Sequence, residues 1–212
     1  MASNPERGAC TRDFGFAGRH VHYAMVLHRA LVLAVVSIAT VAPLHAQSAA
    51  PTIVVLVRHA EKAPSPADDP GLTDAGRARA DALAQALRDA RVDAVITSHY
   101  ERARKTAEPI ATARHVTPVV VRAGTDTEAH VREVAAAVRS QATGGLVVVV
   151  GHTNTIPPVI AALGGPQLPD ICDAEYARLF TLVLPAGESP RLIQSTYGAP
   201  DPAEPCGRTM MR

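Results

Sequence analysis

The sequence predicts an α/β domain with a mostly parallel sheet, helices above and below it, and an antiparallel hairpin at one edge. Three observations lead there. Two stretches, Ile53–Val57 and Leu146–Val150, are apolar without a break, as suits strands covered on both faces. Strand-like runs alternate with helical patterns, the order that builds βαβ units. Finally, Arg178–Leu184 and Arg191–Thr196 read as strands joined through Pro185-Ala186-Gly187-Glu188, a connection too short for anything but a hairpin. With 212 residues, 47% of them hydrophobic, the chain can fill one core and not two.

The first strand stops on Arg58-His59-Ala60-Glu61-Lys62, and the Pro-, Asp- and Ser-rich stretch from Ala63 to Gly71 reads as a loop. Thr73 is the expected N-cap of a helix running to about Ala90, with Asp74 at the positive end of its dipole and Ala78, Leu83, Ala84 and Leu87 on its inner face. Val92–Thr97 is the second strand. Ser98 and Glu101 then have the spacing of a capping box, so a helix should open there, with Arg102 at the end of its first turn. That helix extends to about Arg114 through Pro109, and Val116–Val121 forms a third strand. A helix over Thr125–Gln141 turns Val131, Val134, Ala135 and Val138 inward and stops at Gly144-Gly145. After Leu146–Val150 come Gly151-His152-Thr153-Asn154-Thr155, three of which can cap a helix that tolerates Pro157 and Pro158 in its first turn. The Pro-rich tail from Pro200 is expected to be loose.

The N-terminal part has a different character. Ala30–Leu44 is almost wholly apolar, preceded by His28-Arg29 and followed by small residues. This is the build of a secretory signal peptide, cleaved after Ala46, and the run is shorter than the ~20 residues of a membrane span. Because 24 unpatterned residues precede Met25, translation is expected to start at Met25. Residues 1–46 are thus a leader and 47–212 a single domain, periplasmic or secreted, with no membrane span once the leader is removed.

Removing the leader takes four of the 21 basic residues and two of the 20 acidic ones, leaving a net charge of −1. That gives no electrostatic basis for binding nucleic acid or an anionic membrane. Two cysteines remain, Cys172 and Cys206, and an even count in an exported protein predicts a disulfide between them.

The chemistry collects at the strand ends. Arg58 with His59, then Arg102, then His152 each follow a strand, and in open α/β sheets ligands bind at the C-terminal strand edge. Arginine's planar fork suits phosphate oxygens. Histidine attacks phosphorus only when neutral; its ordinary pKa of ~6.5 already allows this at pH 7, and positive neighbours favour it further. His59 can therefore carry a phosphoryl group, with His152 stabilising charge on its oxygens. His99, His115 and His130 are read as surface or incidental.

Val57-Arg58-His59-Ala60-Glu61, Ser98 to Ala107 and Gly151-His152 together resemble the three motifs of the histidine phosphatase, or phosphoglycerate mutase-like, superfamily. The resemblance covers nearly all of residues 47–212. It implies a three-layer α/β/α sandwich and a phosphohistidine mechanism that uses no metal or other cofactor. In that mechanism His59 is the nucleophile, and Arg58, Arg102 and His152 hold the phosphate. The general acid is left open among Asp126, Glu128 and Glu61.

Four alternatives carry their own signatures. Cys172 and Arg178 have the Cys-x5-Arg spacing of cysteine-dependent phosphatases, but Asp173 and Glu175 between them would repel an anion. His59, Glu61 and His152 could serve as zinc ligands, though no His-Glu-x-x-His motif accompanies them. A non-catalytic protein binding phosphorylated ligands would keep the same pocket. A phosphomutase would need a lid that the short spacings between Arg58, Arg102 and His152 hardly accommodate. The leading expectation is an exported phosphomonoester hydrolase, acting on a small-molecule or macromolecular phosphate ester: a sugar phosphate, nucleotide, lipid-linked phosphate or phosphoprotein.

Overall fold

The computed structural model describes residues 50–141 and 144–201. The expected leader, the Met25 start and Cys206 lie outside the described residues. Within them the elements run β1 (Thr52–Arg58), α1 (Asp74–Ala86), β2 (Ala94–Ser98), α2 (Glu101–Arg114), β3 (Val119–Val121), α3 (Thr127–Gln141), β4 (Leu146–Gly151), α4 (Ile156–Ala162), β5 (Arg178–Leu184) and β6 (Arg191–Thr196). No helix among them is long and apolar enough to cross a membrane.

The strands form one six-stranded sheet in the order β3-β2-β4-β1-β5-β6. The β3, β2, β4 and β1 strands are mutually parallel, while β5 runs antiparallel to β1 and forms the edge hairpin with β6. Alternation along the strands explains the three layers. Val54 and Leu56 point to a core shared with Val131, Val134 and Val138 of α3 and with Ile156 and Ile160 of α4. Val55 and Val57 point the other way, to Leu83 of α1 and Ala103, Ala107 and Ile110 of α2. Each strand side chain of this size that is fully buried, as Leu56 is, contributes roughly 1.5–3 kcal/mol.

Several boundaries shift for identifiable reasons. Thr73 does cap α1, accepting the Gly76 amide at 3.0 Å, but Ala78 is exposed and Arg79 is buried instead. The helix is rotated because Arg79 has a partner inside: its Nε and Nη2 donate to the Glu61 carboxylate at 2.8–3.0 Å. Gly76 permits this close packing, since a Cβ there would lie 2.3 Å from the Glu61 carbonyl oxygen. The β3 strand starts only at Val119, after Pro118, which has no N–H to give a ladder. The tail is fixed at least to Asp201, whose carboxylate accepts the Tyr176 and Ala177 amides at 2.8 and 2.9 Å.

Candidate active site

Register assembles the site. β1 and β4 lie side by side with Arg58 opposite Gly151, and the His59 amide donates to the Gly151 carbonyl at 2.9 Å. The next residue of each strand is then a histidine, and the two imidazoles stand edge to face with centroids 5.3 Å apart. Gly151 is what lets the chain turn back so soon into α4: a Cβ there would sit 2.7 Å from Ile156 Cδ1.

One cavity of about 480 Å³ opens at this edge of the sheet, and Arg58, His59, Arg102 and His152 all line it. The structure thus brings together the four residues that sequence reasoning singled out. Arg58, His59 and His152 are buried. Arg102 is the second residue of α2, earlier in its first turn than the capping-box reading implied.

The capping box itself does not form. Ser98 is the last residue of β2 and its hydroxyl lies 2.9 Å from His152 Nε2. Tyr100 takes the cap position without a side-chain bond, and Asp69 from the loop between β1 and α1 accepts the Glu101 amide at 2.8 Å. Two other positioning contacts carry no sequence signal of their own. Thr106 Oγ1 accepts the Ala60 amide at 2.9 Å and donates to the Arg102 carbonyl at 2.7 Å, tying the strand end after His59 to α2. Thr155 Oγ1 accepts the His152 amide at 2.9 Å.

His59 Nδ1 lies 2.8 Å from the Ala60 carbonyl oxygen. A carbonyl only accepts, so Nδ1 carries the proton and Nε2 keeps a free lone pair. Burial, reinforced by the charges of Arg58 and Arg102, lowers the His59 pKa to about 3; burial and Arg102 lower that of His152 to about 3 as well. Both rings are therefore neutral at pH 7.

Arg58 Nη1 donates to the carbonyls of Cys172, Asp173 and Glu175 at 3.1, 2.8 and 3.2 Å, and its guanidinium lies 4.0 Å from the Tyr176 ring centre. Among the described residues, the buried Nε atoms of Arg58 and Arg102 have no hydrogen-bond partner. Buried N–H groups available at two neighbouring guanidiniums suit an anion.

The three acid candidates are elsewhere. Glu61 is held by Arg79, Asp126 accepts the Ala129 amide at the start of α3, and exposed Glu128 pairs with Arg132 at 3.7 Å; none of them lines the cavity. The commitment of Glu61 to Arg79 also takes apart the zinc set of His59, Glu61 and His152. Cys172 is disulfide-bonded and Arg178 pairs with Glu175 at 3.3 Å, so the Cys-x5-Arg reading fails for want of a thiolate. His130, read as incidental, is in fact buried and lines the cavity, with its pKa lowered by burial. His99 Nδ1 accepts the Ala123 amide at 3.1 Å.

A family profile described as "Histidine phosphatase superfamily (branch 1)" matches residues 54–126, a span that includes Arg58, His59 and Arg102. Over that span the chain is similar to the histidine phosphatase superfamily. Among solved structures of the histidine phosphatase fold, the protein histidine phosphatase SixA complexed with tungstate is 18% identical with a TM-score of 0.54, over 68% of this chain and 96% of that one. A mycobacterial glucosyl-3-phosphoglycerate phosphatase is 18% identical with a TM-score of 0.54, over 71% of this chain and all of its own. Its complex with inorganic phosphate aligns with a TM-score of 0.51 at 19% identity, over 69% and 97% of the two chains. No curated protein matches the chain.

Proposed function

We propose that this protein is an exported phosphomonoester hydrolase that works through a phosphohistidine on His59. The observation that carries the reading is the His59 tautomer: with Nδ1 bonded to the Ala60 carbonyl, Nε2 is the nucleophilic atom. In the first step the Nε2 lone pair forms the N–P bond while the P–O bond to the leaving group breaks, and the leaving oxygen takes up a proton from solvent, which the attacking water of the second step returns. In the second, water attacks the phosphohistidine, the N–P bond breaks, and inorganic phosphate departs as the neutral imidazole returns.

Arg58, Arg102 and His152 would bind the three spectator oxygens, whose charge grows in a loose transition state. Neutral His152 donates from the nitrogen not held by Ser98, and an arriving dianion would favour its protonation. The His59 pKa near 3 keeps the nucleophile free of protons far into acid, so the chemistry requires no separate base to activate it. The oxyanions held by the two structural neighbours, tungstate and inorganic phosphate, are of the size such a pocket would accept. The cavity is several times larger than one phosphoryl group, which leaves room for the leaving group.

The test is a panel of phosphate esters in EDTA, with acid-labile phosphoenzyme trapped by quench. Wild type should turn over and label, and His59→Ala should do neither; turnover that survives in His59→Ala means another nucleophile. Phosphate binding with no hydrolysis of any ester would favour the non-catalytic reading instead. Export is tested separately by sequencing the N-terminus of the protein recovered from the cell envelope, which should begin at Gln47.

A further inference from the structure

Asp173 is the sole carboxylate bordering the cavity among the described residues, and it stands where an anion is meant to go. The Arg58 guanidinium is divided between two tasks. Nη1 is spent on three backbone carbonyls of the turn at Cys172–Glu175, a turn closed by the Glu175 amide on the Cys172 carbonyl at 2.9 Å and anchored by the disulfide at Cys172. The remaining edge of the fork, Nε and Nη2, is the one free to grip two oxygens of a phosphoryl group. Nε has no partner among the described residues, but Nη2 lies 3.6 Å from Asp173 Oδ1.

We infer that Asp173 is a specificity-determining residue whose carboxylate competes with phosphate for Arg58 Nη2 and so holds down the affinity of the pocket for the dianion. This rests on the reading of the cavity as a phosphate site. The physical case is direct. The Asp173 carboxylate is 95% exposed while the Arg58 side chain is 5% exposed, so the carboxylate is free to swing aside when a better anion arrives. It still repels that anion through a few ångströms of partly wet cavity. Two arginines, two imidazoles and Lys62 around one phosphate would otherwise favour retention of the product, and a hydrolase must let inorganic phosphate go. Asp173 gives Arg58 a local anion to return to.

The contribution of residue 173 to the fold is separable from this role, because Arg58 Nη1 bonds the backbone carbonyl of Asp173, which any side chain retains. The experiment is competitive inhibition of p-nitrophenyl phosphate hydrolysis by inorganic phosphate in wild type, Asp173→Asn and Asp173→Ala, at low and high salt, with thermal melts alongside. The inhibition constant for phosphate should fall about 3–10-fold in both variants at low salt, as removal of a nearby like charge implies. The difference should shrink at high salt, with melting temperatures unchanged. A constant that is unchanged or higher in both variants overturns the proposal. So does a loss of turnover that deepens as the leaving group becomes more basic, because that is the signature of a proton donor. Wild type that neither turns over nor binds phosphate overturns the underlying site reading and takes this proposal with it, whereas wild type that binds phosphate normally isolates any failure to Asp173.

Discussion

Ser98 Oγ and His152 Nε2 lie 2.9 Å apart across the boundary between β2 and β4. A hydroxyl that donates to Nε2 leaves the ring proton on Nδ1, the nitrogen available to a bound phosphoryl oxygen. In Ser98→Ala the ring loses both its orientation and this bias in tautomer. We expect kcat/KM to fall roughly 10–100-fold, and stability by about 1 kcal/mol for the buried bond lost. Steady-state kinetics and urea denaturation of the one variant check both numbers, and a variant with full activity would remove Ser98 from the catalytic account.

The acid limb of stability should bear the mark of the two buried imidazoles. Both have folded pKa values of about 3 against about 6.5 in the unfolded chain. Between those values the unfolded state binds more protons, so the stabilisation is complete above pH 6.5 and is lost progressively as pH falls toward 3. Each ring costs roughly 1.4 kcal/mol per pH unit in that window. From pH 7 to pH 5 the pair together should therefore remove about 4 kcal/mol. Urea midpoints at the two pH values measure this, and the His59→Asn/His152→Asn double variant should show a much smaller difference. Saturating phosphate should also reduce it, since the anion compensates a protonated His152.

The ion pair of Arg79 with Glu61 serves the fold more than the chemistry. Arg79 is buried, Glu61 is partly so, and Arg79 Nη1 also donates to the Tyr197 and Ala199 carbonyls at 3.2 and 2.9 Å. Its pKa is pulled down by burial, yet the hydrogen bond and charge of Glu61 outweigh this and leave it raised. Arg79→Ala abandons a half-buried carboxylate and two backbone carbonyls, for a destabilisation of about 3 kcal/mol. Denaturation of Arg79→Ala, Glu61→Gln and the double variant should give a coupling energy well above zero. Additive effects would mean that the two side chains do not depend on one another.

How far the sequence could be read follows from where each signal resides. The strands β1 and β4 were plain because burial on both faces writes itself into consecutive residues, and the edge hairpin because six linking residues between Leu184 and Arg191 allow nothing else. His59 and His152 were found because each directly follows such a strand. Ser98 was misread because its spacing to Glu101 satisfies a local rule, while the partner that claims its hydroxyl lies 54 residues away. Ala78 and Arg79 exchanged faces for the same reason, since only the fold reveals that a buried arginine has a carboxylate waiting. The roof over Arg58 was invisible in another way: it is built from the carbonyls of Cys172, Asp173 and Glu175, and every residue has a carbonyl. What sequence could contribute there was the charge of Asp173 and the cysteine beside it.

Arg102 should show the cost of preparing a site for an anion. Its buried Nε has no hydrogen-bond partner among the described residues, and burial together with the charge of Arg58 lowers its pKa although Tyr100 and Asp69 oppose them. It also sits in the first turn of α2, where the helix dipole disfavours a cation. The Tyr100 ring, 4.3 Å from its guanidinium centre, compensates in part. Arg102→Met keeps the alkyl stem and discards the charge. It should be more stable than wild type by about 1 kcal/mol and lose roughly 10²–10³-fold in kcat/KM, the range found when a transition-state donor is removed. Arg102→Lys should recover little activity, because a point charge does not replace a planar fork. Inorganic phosphate should raise the melting temperature of wild type more than that of Arg102→Met, since only a bound ligand stabilises by mass action. If Arg102→Met is instead less stable than wild type, the guanidinium is a structural group, and the affinity of the cavity for an anion rests on Arg58 alone.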